Sequence, residues 1–148
     1  MKTYRIYVVD DDVFFTKLLK QHIENLVEQF DEAVVRFLVE SFSSAEIFLK
    51  SLSERPDVVI LDYQFEVNRE NEVSNGSEVL KYLGQRFPRT RVIMVSVVKD
   101  QDKIISLIKD GAIEFVNKDN ETLNVVRYMI KNMIREDLHD YYSFKDWQ

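Results

Sequence analysis

The chain of 148 residues contains no cysteine, which excludes a disulfide framework and thiol chemistry. With three glycines and two prolines it has no low-complexity tract, and no internal repeat is found. It lacks an excess of basic residues. The net charge of −6 and the pI near 5.0 argue against a nucleic-acid-binding surface, because phosphate backbones attract basic patches. Neither of its two histidines, His22 and His139, has a second histidine or a cysteine at metal-ligand spacing, so both read as structural or solvent-facing. No amino-terminal segment resembles a signal peptide, and no apolar run approaches the ~20 residues of a membrane span. A cytoplasmic protein, with no membrane contact, is the expectation. Hydrophobic residues at 45% and charged ones at 31% belong to a folded globule of one domain.

What is present is a series of short apolar runs, each ended by a polar group. Ile6-Tyr7-Val8-Val9 is followed by Asp10-Asp11-Asp12, and Val58-Val59-Ile60-Leu61 by Asp62. Val92 to Val95 ends at Ser96, and Phe115-Val116-Asn117 at Lys118. Runs that are apolar throughout are buried on both faces, as in a parallel sheet. Ligands of such sheets bind outside the carboxyl ends of the strands. Carboxylates, a hydroxyl and an ammonium at that edge suit a divalent cation and a phosphoryl group.

Between the runs the pattern turns helical. The spacing predicts strands over residues 4–9, 35–41, 58–61, 91–95 and 113–116. Helices are predicted from Val13, capped by Asp12; from Ser43, with Glu46 completing a capping box; over 77–87, stopped by Pro88; over 100–110, capped by Gly111; and from Glu121 into the 130s. Alternation of this kind implies right-handed crossovers and a three-layer α/β fold.

These residues carry a resemblance to the receiver domain of two-component response regulators, of the chemotaxis-regulator kind. It covers about 4–133 and rests on five marks in order: the pair Asp10 and Asp11, Asp62, Ser96, Phe115 after Gly111-Ala112, and Lys118. Any one is weak; the set is specific. The resemblance implies a flavodoxin-like (βα)5 fold with a parallel five-stranded sheet ordered 2-1-3-4-5. It implies a phosphoprotein with an aspartyl phosphate on Asp62, accepted from a histidine kinase or phosphotransfer protein. Mg2+ (or Mn2+) is then held by Asp11, Asp62 and the backbone carbonyl of Gln64, with Asp10 acting through a water. Lys118 pairs with Asp62 and contacts the phosphoryl oxygens, Ser96 donates its hydroxyl, and Phe115 rotates inward. The face of helix four, strand five and helix five relays the change to a downstream protein, and is also the expected surface of any homodimer. The chain is then no enzyme beyond its own phosphorylation and dephosphorylation.

The chain departs from the pattern at three places. The segment after Asp62 lacks the usual Met-Pro, and Gly76 comes about six residues late, which predicts an acidic loop over the rim of the site. Val97 stands where a small residue is usual. Asp119 stands where the family has a proline in a cis bond, and a cis bond without proline costs ~2.5–4 kcal/mol, so a trans or strained bond and a shifted Lys118 are expected. The expected organisation is a receiver over 1–136 and an aromatic-rich tail over 137–148, bearing Tyr141, Tyr142, Phe144 and Trp147, without an output domain. Two other readings fit the residues. Asp10-Asp11-Asp12-Val13 also matches the start of haloacid-dehalogenase-type phosphatases, with Asp10 as nucleophile and Asp12 as acid/base. A non-phosphorylated pseudo-receiver acting only as an interaction module is the third.

Overall fold

Each of the five predicted strands becomes a strand of one sheet. The computed structural model describes residues 1–31, 34–62, 76–97, 101–109 and 111–146, with the backbone alone at 76–78, 103, 107, 113 and 140–146. The strands are β1 (Lys2–Val9), β2 (Val35–Phe42), β3 (Val58–Asp62), β4 (Arg91–Ser96) and β5 (Ala112–Asn117). They are all parallel and ordered β2-β1-β3-β4-β5, the predicted flavodoxin-like topology. The helices are α1 (Val13–Asn25), α2 (Ala45–Ser51), α3 (Gly76–Arg86), α4 (Gln101–Lys109) and α5 (Thr122–Asp146).

Alternation along the strands divides the core in two. Ile6, Val8, Ile60 and Val95 pack with Leu19 and Ile23 of α1 and with Val126, Ile130 and Ile134 of α5. Tyr7, Val9, Val59, Leu61 and Met94 face the other way, onto Phe48 of α2 and Val79, Leu80 and Leu83 of α3. Burial on both faces explains why β1 and β3 read as continuous apolar runs. β2 is an edge strand and alternates buried with exposed positions. Around Phe48 the rings of Tyr7 and Phe42 stand edge-on at centroid distances of 6.2 and 5.3 Å, a favoured aromatic geometry.

Register fixes the functional edge. Val9 lies opposite both Phe42 and Leu61, Asp62 opposite Val95, and Ser96 opposite Asn117. Asp10, Asp62, Ser96 and Lys118 therefore leave the sheet at one level. A register irregularity between Val92 and Ile93 precedes this edge in the β4–β5 ladder.

The caps decide where helices start. The Asp12 carboxylate accepts the Phe15 N–H at 3.0 Å, as predicted. In α2 the predicted cap is off by one residue: Ser44, not Ser43, is extended, buried and accepts the Ile47 N–H at 3.1 Å. Gly111, after α4, has φ of 120°, a conformation that suits glycine. The backbone of α5 runs to Asp146, carrying most of the aromatic-rich segment in helix. Asp137 on α5 accepts from the Tyr4 hydroxyl (3.3 Å) and from Arg91 (3.1 Å), tying this helix to the starts of β1 and β4.

Replacing Ser44 by alanine is expected to cost about 1 kcal/mol in urea unfolding, whereas Ser43→Ala should leave the midpoint unchanged. Equal effects of the two would contradict the observed cap.

Candidate functional site

The site is built where β1, β3 and β5 end. The backbone turns out of β1 at Asp10 so sharply that the carboxylate of Asp10 accepts the N–H of Asp12 at 2.9 Å. Its other oxygen receives the Lys118 ammonium at 2.8 Å. Asp62, the last residue of β3, has a carboxylate oxygen 3.6 Å from the same ammonium. Asp10 and Asp62 are buried while Asp11 is exposed, and one carboxylate oxygen of each lies within 4.8 Å of the others. This is a donor set of oxygens, partly desolvated and open on one side, which fits a hard divalent cation such as Mg2+.

Electrostatics follow from two carboxylates, Asp10 and Asp62, sharing one ammonium, with the Asp11 carboxylate beside them. Burial pushes the Asp10 carboxyl above its ordinary value, against the opposing hydrogen bond from Lys118, and neighbouring Asp11 adds to the rise. Burial works to lower the Lys118 value, but the hydrogen bond and charge of Asp10, with Asp62 behind it, outweigh it and hold the ammonium above the usual lysine range. Negative charge is in excess, so the cation is firmly held and the carboxylates are under-compensated.

Lys118 is aimed by several contacts. Its backbone N–H donates to the Ser96 carbonyl at 3.0 Å, joining the ends of β4 and β5. Its ammonium lies 4.5 Å from the centroid of the Phe15 ring, a cation–π distance. Past it, no cis peptide bond occurs among the described residues, so the Lys118–Asp119 bond is trans. The Thr122 hydroxyl, fully buried, accepts the Asp119 N–H at 2.7 Å and reaches the Asn117 carbonyl at 2.8 Å. Asp119 has the N–H that proline lacks, and Thr122 gives it a partner. The lysine expected to be displaced reaches both predicted carboxylates, with Asp10 rather than Asp62 as its nearer partner. Phe15 and Thr122 were not singled out by the sequence. A helix starting at Val13 places Phe15 on its first turn, and Thr122 opens α5, but nothing local in the sequence ties either to Lys118.

Ser96 is fully buried at the end of β4, and Val97 beside it is 56% exposed at the rim. Phe115 is half-buried and packs against the cluster containing Met94 and Leu83. Gln64 and the acidic loop after Asp62 lie outside the described residues. Asp12, the acid/base of the phosphatase reading, instead has a carboxylate oxygen occupied as the α1 cap.

Comparison with known proteins meets this geometry. The family model of the response regulator receiver domain matches residues 6–131. A protein-glutamate methylesterase/protein-glutamine glutaminase of Thermotoga maritima is 31% identical over 126 residues, which is 84% of this chain and 33% of that protein. The chain thus spans about a third of the length of such relatives. Chemotaxis protein CheY of Listeria monocytogenes is 29% identical over 114 residues, 77% of this chain and 85% of that protein. Among solved structures, the response regulator domain of Thermotoga maritima CheB superposes with a TM-score of 0.63 at 26% identity, covering 91% of this chain and 96% of that one. The signal receiver domain of a Luxo repressor protein from Vibrio parahaemolyticus reaches a TM-score of 0.70 at 20% identity, over 95% and 98% of the two chains, a likeness of fold. Strand order, strand-end residues and matched span agree: the chain belongs to the family of response regulator receiver domains of two-component signalling.

Proposed function

We propose that the chain is a phosphorylation-activated switch with Asp62 as the phosphoacceptor. The observation that carries this reading is the Asp62 carboxylate, 3.6 Å from Lys118 and within 4.8 Å of oxygens of Asp10 and Asp11. An Asp62 oxygen attacks the phosphorus of a phosphohistidine on a histidine kinase or phosphotransfer protein. The P–N bond breaks, the imidazole leaves with the bonding pair and takes a proton from solvent, and an acyl phosphate remains on Asp62. Phosphoryl transfer of this kind is mostly positioning and charge neutralisation. Asp11 and Asp62 would hold Mg2+ directly, with Mn2+ as a substitute, while Asp10, engaged by Lys118 and the Asp12 N–H, would act through a water, and the Gln64 carbonyl would add a ligand. The bound ion supplies positive charge to the phosphoryl oxygens.

The new group brings about −1.5 to −2 charges and three acceptor oxygens. Lys118 turns from Asp10 toward them, and the Ser96 hydroxyl donates to one. Ser96 is at the end of β4, so its movement pulls on Val97 and the chain leading into α4. Half-buried Phe115 then rotates inward into the space that the Ser96 movement vacates, which changes the α4–β5–α5 face that meets a downstream protein. This is a population shift between two arrangements.

Two outcomes test this reading. Acetyl phosphate with Mg2+ should add one phosphoryl group by intact mass, and Asp62→Asn should abolish it. Label that survives Asp62→Asn and is lost in Asp10→Asn would instead indicate phosphatase chemistry, and no label under any donor an interaction module. The second concerns stability. The folded Asp10 value is raised, so whatever stability its titration lends is present below the unfolded value and lost as pH rises through the folded one. At pH 7 its charge therefore costs stability, whereas Lys118 contributes until pH passes its own raised value. Asp10→Asn should accordingly raise Tm in EDTA at pH 7 and reduce, without abolishing, the gain in Tm that Mg2+ gives the unsubstituted protein. A lower Tm in EDTA would show that the Lys118 pair outweighs the burial of charge.

A further inference from the structure

We propose that the opposite edge of the sheet, where the strands begin, carries a second binding site, for a small ligand bearing a phosphate group. A cleft of about 200 Å3 opens there between the starts of β1, β3 and β4 and the middle turns of α5. Its charged lining consists of Lys2, Arg55, Arg89 and Arg91 against two carboxylates, Asp57 and Asp137. Four cations against two anions leave a local surplus of two positive charges, on a chain whose net charge is −6. That surplus is the reverse of the protein's overall field, so it is local to this cleft.

The carboxylates are already engaged and arrange the cations rather than neutralise them. Asp137 takes Arg91 at 3.1 Å, Lys2 at 3.6 Å and the Tyr4 hydroxyl at 3.3 Å. Asp57 takes the Arg5 backbone N–H at 2.8 Å and one Arg55 nitrogen at 3.3 Å. Arg91 and Arg55 each meet their partner through one terminal nitrogen, leaving further N–H donors of the planar fork for an incoming anion. Arg89 lines the cleft with an exposed side chain and makes no ion pair among the described residues. Arginine forks match phosphate oxygens two at a time. Burial first, then Asp137, raises the Tyr4 hydroxyl far above its ordinary value, so it stays a neutral donor.

Size and lining narrow the ligand. The volume falls below the ~300–1,000 Å3 of pockets for drug-sized molecules, and the cleft is a concavity rather than a stripe, which disfavours a polymer. Of the apolar residues bordering the cleft, Ile6, Ile130 and Ile134 are buried while Met133 is half-buried, so Met133 is the apolar contact for a small organic body attached to the phosphate. This site is independent of the chemistry at Asp62, since it is lined by the other ends of the strands.

The test is an amide NMR titration of the whole chain, free of Mg2+, with phenyl phosphate and inorganic phosphate at constant ionic strength. Saturable shifts are expected at residues 3–6, 90–91 and 134–138, weakened about tenfold by Arg89→Ala and by Arg55→Ala. Both substitutions remove exposed side chains, and unchanged Tm confirms that folding is intact. Tighter binding of phenyl phosphate identifies an organic phosphate as the ligand class; equal binding identifies free phosphate. No shift, shifts confined to residues 10–12, 96 and 118, or full affinity in the Arg55→Ala/Arg89→Ala double variant would overturn the proposal.

Discussion

Lys118 reaches across the carboxyl edge of the sheet to Asp10 at 2.8 Å and Asp62 at 3.6 Å, and the surrounding residues keep it there. Without that ammonium, three carboxylates would crowd a partly buried edge with nothing to offset them, and like charges at such distances repel strongly in a low-dielectric setting. With it, the cluster is tolerable but still short of positive charge. The unmet charge suits the edge to a divalent cation, and the proposed switch rests on the way the lysine is divided between two carboxylates. On the function proposed above, a phosphoryl group on Asp62 would offer Lys118 a stronger partner than Asp10, and the residue that offsets charge in the resting state would report the modified one.

The fold exists at this edge to bring together groups far apart in sequence. β1, β3 and β4 end at one level because their parallel registers are locked by burial on both faces, where a slip by one residue would turn apolar side chains out of the core; β5, at the edge of the sheet, is held level by its ladder to β4. Local detail then adapts. The loop after β5 manages without proline because the Thr122 hydroxyl accepts the Asp119 N–H and braces the turn from the start of α5. The Phe15 ring, 4.5 Å from the ammonium, adds a cation–π contact to those with the carboxylates.

Much of this was legible in the sequence, and the limits have physical causes. The α/β class followed from apolar runs alternating with helical periodicity, the strand order from the resemblance to receiver domains, and the candidate residues from where polarity interrupts those runs. The cap of α2 was placed one residue early because Ser43 and Ser44 are equally good caps on paper; only the extended backbone at Ser44 decides between them. The preference of Lys118 for Asp10 was hidden, since spacing shows which residues reach an edge and not how one ammonium divides itself. Phe15, Thr122 and the basic cleft at the far edge were missed for a related reason. Each depends on residues brought together from separate elements, and none interrupts an apolar run.

The central claim is that the residue 62 carboxylate, the acidic pair and the lysine form one phosphoryl-binding site. Fluorine NMR with beryllium fluoride and Mg2+ tests it most directly, because beryllofluoride occupies the place of a phosphoryl group on a carboxylate. The account predicts resolved bound-fluoride resonances in the unsubstituted protein, absent in Asp62→Asn and absent in EDTA. Bound resonances that persist in Asp62→Asn, or none in the unsubstituted protein at saturating Mg2+, would contradict it.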